Sequence, residues 1–184
     1  MSASSLRNWS RPDTSAAFSS DSRKYKVPVD AANPADTTTY TIQVLQSGPV
    51  EAALQWQIRF QELATRKQLT PGNKFTNAAM CMSGDAQEAW TAAVDENMAP
   101  NQAATNVRFS IFLKSSALNV SSTTNTTDDV KEFLQTARKP SDMPIITFAN
   151  RLEELNRYIP LLPGAVVLAR LDEAEVFNIL KKSV

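Results

Sequence analysis

Between Ser47 and Leu118 large apolar residues recur at three- and four-residue spacing, and the pattern breaks where glycine and proline fall. "SGPVEAALQWQIRFQELATRK" predicts a helix. Pro49 stands in a first-turn position where a missing N–H costs nothing, and Glu51 lies near the positive end of the helix dipole. Val50, Leu54, Trp56, Ile58, Phe60 and Leu63 supply its buried face. "TPGNKFTNAAMCM" opens a second helix with Thr70 as N-cap and Pro71 behind it, and "SGDAQEAWTAAVDEN" a third after the break at Ser83 and Gly84. Phe75, Ala79 and Met82, then Ala86, Trp90 and Val94, fall on one side of each. "PNQAATNVRFSIFLKSSAL" predicts a fourth, whose Val107, Ile111 and Leu118 line up while Phe109, Phe112 and Leu113 broaden the apolar surface.

"NVSSTTNTTDD" then stays polar and reads as a linker. Beyond it, Thr127 or Asp128 can cap "DVKEFLQTARK", Pro144 can open "PIITFANRLEELNRYI", and "LLPGAVVLARLDEAEVFNILKKSV" runs to the last residue. Upstream, Tyr40, Ile42 and Val44 alternate with Thr41 and Gln43, which predicts one short strand. The residues before it are rich in Ser, Thr, Asp and Ala and too poor in aliphatic side chains to offset their ordering entropy. The expected fold class is therefore all-α: a flexible arm over residues 1–38, a helical domain over 39–119, a hinge over 120–127 and a second helical domain over 128–184.

Composition narrows the chemistry. The chain has 184 residues, 42% of them hydrophobic, enough to bury a core, and nineteen basic residues balance nineteen acidic ones. It has no histidine and one cysteine, which excludes disulfide frameworks, His-dependent triads and nearly every zinc site. Cys81, flanked by Met80 and Met82, reads as a core residue. "DTS" at Asp13 and "DTT" at Asp36 lack the glycine of an aspartic protease, and the pairs Asp128–Asp129 and Glu153–Glu154 point to different sides of a helix. No catalytic constellation emerges, so the expectation is a protein that is not an enzyme and holds no metal or cofactor. There is no apolar leader and no run of about 18 apolar residues to span a bilayer, and an intracellular, membrane-free chain is expected. The candidate RNA contacts are Arg7, Arg11, Arg23, Lys24 and Lys26 of the arm, with Trp9 and Tyr25 available to stack on bases.

One helix carries more. Ile145, Phe148, Leu152, Leu155 and Ile159 form a continuous apolar stripe. The proline-broken approach "ARKPSDMP" followed by "ITFANRL" resembles the major homology region of the C-terminal capsid domain in retroviral and retrotransposon Gag proteins. Phe148, Arg151 and Leu152 stand at that motif's aromatic, arginine and large apolar positions. "GPVEAALQWQIRFQEL" and "TPGNKFTNAAMCMSGDAQEAW" are similar to the gypsy-type (metavirus) Gag pattern through Gly48, Trp56, Phe60, Leu63, Gly84, Ala86 and Trp90, and "LLPG" with "LDEAEVFNILKKSV" fits its closing helices. The likeness covers residues 40–184. It departs at Lys139 and Met143, which replace the motif's glutamine and glutamate, and at Pro140, which replaces its glycine. A buried Arg151 would then need Asp142, Glu154 or backbone carbonyls as partners.

The resemblance implies a capsid protein that assembles with itself into hexamers, pentamers and dimers of a cytoplasmic virus-like particle enclosing retrotransposon RNA. It implies a core of Trp56, Phe60, Leu63 and Trp90 in the first domain, and a second domain held by Phe148, Arg151, Leu152 and Leu155. Ring contacts would fall on Pro49 to Lys67 and dimer contacts on Leu171 to Val184. It also implies further C-terminal domain beyond "LKKSV" and an RNA-binding region downstream, because this chain cannot form a zinc knuckle. The alternative is a monomeric Gag-derived adaptor that binds a peptide, with Tyr40 to Leu45 as an edge strand.

Overall fold

A computed structural model of the chain describes residues 6–97, 104–118, 126–162 and 170–183. Two strands, β1 (Phe18–Asp30) and β2 (Asn33–Leu45), precede seven helices: α1 (Val50–Arg66), α2 (Pro71–Met80), α3 (Gly84–Asn97), α4 (Asn106–Leu118), α5 (Thr126–Gln135), α6 (Ile145–Tyr158) and α7 (Glu173–Lys182). They divide into an N-terminal unit, Pro12–Asn119, and a C-terminal unit made of Ser2–Arg11 together with Val120–Val184. Most of the expected hinge, residues 120–125, lies outside the described residues, as does "PGAVVLA" at 163–169, while Thr126 and Thr127 of that hinge begin α5. No helix among the described residues is long and apolar enough to cross a membrane.

The fold is not all-α, and residues 6–38 of the expected flexible arm are folded. β1 and β2 form a two-stranded antiparallel hairpin, and Leu6–Arg11 packs into the C-terminal unit. The hairpin needs only one apolar face. Tyr25 pairs with Tyr40, Val27 with Thr38 and Arg23 with Ile42, so Tyr25, Val27, Tyr40 and Ile42 share the face toward the helices. Lys24, Lys26, Thr39 and Thr41 point away and are exposed. The β-branched run Thr37–Thr38–Thr39 suits this pleated surface. The turn at Ala31 and Ala32 has no glycine; instead the Ala32 N–H donates to Asp30 Oδ1 at 3.0 Å.

Side chains then fasten the hairpin to the helices. Tyr40 Oη donates to the Arg59 carbonyl and to Glu62, each at 3.0 Å, and Arg66 lies over its ring. Lys67 Nζ reaches the Lys26 carbonyl at 3.3 Å, and Arg23 Nε the Met80 carbonyl at 3.0 Å. The end of β2 continues into the joint between α2 and α3. Leu45 N–H donates to the Cys81 carbonyl, Ser83 N–H to the Leu45 carbonyl and Ala86 N–H to the Gln46 carbonyl.

The core of this unit is aromatic. Trp56 and Phe60 stack at 5.1 Å, and Phe75 sits within 5.8 Å of Trp90, Phe109 and Phe112. The expected core residues Trp56, Phe60, Leu63 and Trp90 are all buried in one cluster with Cys81. On α4 the aromatic stripe faces inward. Phe109, Phe112 and Leu113 are buried while Val107 and Ile111, expected on the buried line, are 71% and 51% exposed, because the larger rings remove more apolar area from water.

One close approach fixes how the hairpin meets α1. Gly48 has φ +115°, and a Cβ there would come within 2.5 Å of Ala17 Cβ, while the Ala17 carbonyl accepts from the N–H groups of Gln46 and Ser47. Gly48→Ala is expected to destabilise the N-terminal unit by about 2 kcal/mol or more. Gly72→Ala, on α2 with nothing within 4 Å of its added methyl, should be neutral or slightly stabilising. Urea midpoints read from Trp fluorescence check both.

Candidate functional site

The C-terminal unit is organised by α6. Phe148, Leu152, Leu155 and Ile159 are fully buried, so the apolar stripe packs as expected except at its first residue, where Ile145 is 44% exposed. The loop before it is held by a lysine. Lys139 Nζ donates to the carbonyls of Pro140 and Met143, each at 3.0 Å, so residues 139 and 143 are linked through a side chain and the backbone. On the other side Asn156 both accepts from the Leu171 N–H at 2.8 Å and donates to its carbonyl at 3.0 Å. Asp172 and Glu175 then form a capping box that starts α7.

Arg151 stands on the flank of the stripe and is only 1% exposed. A guanidinium this deep must have its N–H groups satisfied. Nε and Nη2 both donate to the carbonyl of Asn8, at 3.3 and 3.1 Å, and Nη1 to Glu154 Oε2 at 3.0 Å. Both kinds of partner were among those the sequence suggested; that the carbonyl would belong to residue 8 was not.

The segment Leu6–Arg11 supplies the rest of the site. Leu6 is fully buried. Trp9 lies against Phe133 of α5 and Phe148 of α6, with ring centroids 4.9 and 4.7 Å away. Arg11 Nε donates to Glu154 Oε2 at 2.7 Å, and Tyr158 Oη donates to Glu154 Oε1 at 3.2 Å. Glu154 thus gathers two guanidinium groups and a phenol. Burial pushes its carboxyl pKa up, but the hydrogen bonds and charges of Arg11 and Arg151 outweigh burial and hold it below the ordinary glutamate value of 4.5.

The candidate RNA contacts divide between the two units. Arg7 and Arg11 belong to the C-terminal unit, where Arg7 is exposed and Arg11 is ion-paired. Arg23, Lys24 and Lys26 belong to β1, and Arg23 is tied to Met80. They are parts of two folded surfaces and do not form one basic tail. No family model, curated protein or solved structure matches this chain.

The N-terminal unit offers less chemistry. Cys81 is buried with its sulfur 3.3 Å from Tyr25 Oη, and burial pushes the thiol pKa up, which suits a packing role. Trp56 Nε1 and Gln57 Oε1 are buried without a protein partner beside a water-sized cavity bounded by Leu45, Met82 and Leu113. The Gln57 amide donates to the Leu113 carbonyl at 2.8 Å. Among the described residues no group of His, Cys, Asp or Glu could hold a metal ion.

The Glu154 cluster makes a pH prediction. A carboxylate whose folded pKa is depressed contributes stability above its unfolded pKa and loses it as pH falls through the folded one. The C-terminal unit should therefore weaken progressively as pH drops below about 4.5. Glu154→Gln should flatten that acid dependence. The urea midpoint of α6 amide resonances, followed against pH, checks both.

Proposed function

We propose that the protein is a structural subunit of the gypsy-type Gag class, which assembles with itself into a closed particle around RNA in the cytoplasm. The observation that carries this reading is the C-terminal unit: a proline-bounded loop braced at Lys139 and Met143, then a helix whose aromatic, arginine and leucine positions build the fold around a buried Arg151. The arrangement is that of a motif whose work is structural. It organises a small helical unit.

Assembly needs surfaces that bind weakly and repeat by symmetry. The apolar side chains left exposed suit that use. Val107 and Ile111 form a stripe on α4, and Ile145 and Ile146 open α6. Phe177 projects from α7, 65% exposed, on the segment that the Gag likeness links to dimer contacts. α1, linked by the same likeness to ring contacts, buries most of its apolar residues and presents Arg59, Gln61, Glu62, Thr65 and Arg66, so contacts made there would be polar. A net charge of zero leaves no global repulsion between subunits.

One observation favours the adaptor reading. A groove lined by Thr14, Ser15, Phe18, Ile42, Gln43, Gln55, Trp56 and Arg59 runs between the hairpin and α1, where an extended peptide could lie beside β2. Mass against concentration separates the two. A capsid subunit gives dimers, rings or shells in sedimentation velocity as concentration rises, whereas an adaptor stays monomeric.

Two substitutions sharpen the test. Arg151→Ala should cost the C-terminal unit about 3 kcal/mol by removing the charged hydrogen bonds to Glu154 and the Asn8 carbonyl, and should abolish particles while the N-terminal unit stays folded. Phe177→Glu should leave the melting temperature nearly unchanged and still reduce assembly. Negative-stain microscopy beside thermal unfolding reads both, and undiminished particles from Arg151→Ala would remove the structural role given to it.

A further inference from the structure

The C-terminal unit is discontinuous: its first piece, Ser2–Arg11, is separated in sequence from the rest by the whole N-terminal unit. The contacts below, which join Leu6–Arg11 to that unit, are of a kind a free peptide could make. Trp9 lies against two phenylalanines, Leu6 is fully buried, the Asn8 carbonyl takes two N–H groups of Arg151, and Arg11 pairs with Glu154. The segment is also pre-shaped, since the Ser10 N–H donates to Asn8 Oδ1 at 3.0 Å, which lowers the ordering cost of docking. Pro12 follows at once, and the residues from there to the turn at Ser15–Ala17 belong to no helix or strand. None of these bonds requires that the docked segment be continuous with the chain whose groove it fills.

We propose, independently of the capsid reading, that this groove is an exchange site between copies: Leu6–Arg11 of one chain docks against Phe133, Phe148, Arg151 and Glu154 of a second. Exchange replaces each contact by an identical one, so the contacts themselves favour neither form. The balance is set by the effective concentration of the chain's own segment against the concentration of segments on other copies. Dilute chains keep their own segment; crowded chains trade it and become linked. An aromatic anchor, a two-pronged hydrogen bond from arginine and an ion pair give the groove its selectivity for this one sequence, and the Arg11–Glu154 pair, with Arg11 59% exposed, adds a salt-sensitive component.

The test uses the full chain carrying Trp9→benzoylphenylalanine, a substitution that keeps an aromatic anchor. Natural-abundance and nitrogen-15 labelled preparations are mixed in equal parts, equilibrated over a range of concentrations and irradiated, and cross-linked peptides are sorted by mass. Exchange predicts adducts between position 9 and the α5 or α6 peptides that carry one light and one heavy partner, with that mixed fraction rising several-fold from dilute to concentrated samples. An excess of a synthetic peptide spanning residues 2–14 should suppress the mixed adducts, and the same peptide with Trp9→Ala should not. Same-isotope adducts alone at every concentration would overturn the proposal. So would adducts mapping away from α5 and α6, or equal suppression by both peptides.

Discussion

A buried positive charge is the constraint on which the C-terminal unit depends. Arg151 sits beside a stripe of Phe148, Leu152 and Leu155, where a guanidinium is tolerable only if its donors are matched. The match comes from two directions: Glu154 one turn along the same helix, and the backbone of residue 8 from the other end of the sequence. Because Glu154 also receives Arg11 and Tyr158, the cluster joins α6, its C-terminal turn and the N-terminal segment in one network. Trp9, laid over Phe133 and Phe148, closes the apolar side of the same junction. The unit is thus completed by residues that composition alone would assign to a tail.

The N-terminal unit solves a different problem by a similar economy of means. A long hairpin with few aliphatic residues is held because its sparse apolar face meets an aromatic core and its polar rim is bonded to helix carbonyls. The link between β2 and the joint of α2 and α3 is made of backbone hydrogen bonds, so the helices and the ribbon share one frame. Apart from Val29 on β1 and Met80 at the end of α2, the exposed large apolar residues sit on α4, α6 and α7. Those three helices are where the unit surfaces have most to gain from a neighbour.

Legibility in the sequence followed the range of the interactions. Helix starts were readable because their signals are local: Thr70 caps α2 by accepting from the Asn73 N–H with Pro71 behind it, and Pro144 marks the start of α6. The core of the N-terminal unit was readable because Trp56, Phe60, Leu63 and Trp90 are large and regularly spaced. β1 was not. Its stabilisation lies in pairing with β2 and in bonds to α1 and α2, and its own residues are mostly polar or charged, with a proline. On α4 two apolar stripes compete, and spacing does not say which one the core takes. The arginine of the site was readable and its partner was not, since a backbone carbonyl 143 residues away leaves no mark in residue type.

The hairpin also limits how copies of this chain can stack. A two-stranded ribbon has two open sides, and unpaired strand edges are templates for fibre growth. Here Pro28 and Pro34 have no N–H to give, and the pairing register slips between Phe18 and Ser22 and again between Pro28 and Asp30. Lys24 and Lys26 place positive charge on the outer face. A second ribbon laid alongside would meet missing donors, uneven spacing and like charge. Crowding should therefore leave the sheet a solitary element and drive association through side chains on helices, which favours finite contacts over open-ended ones.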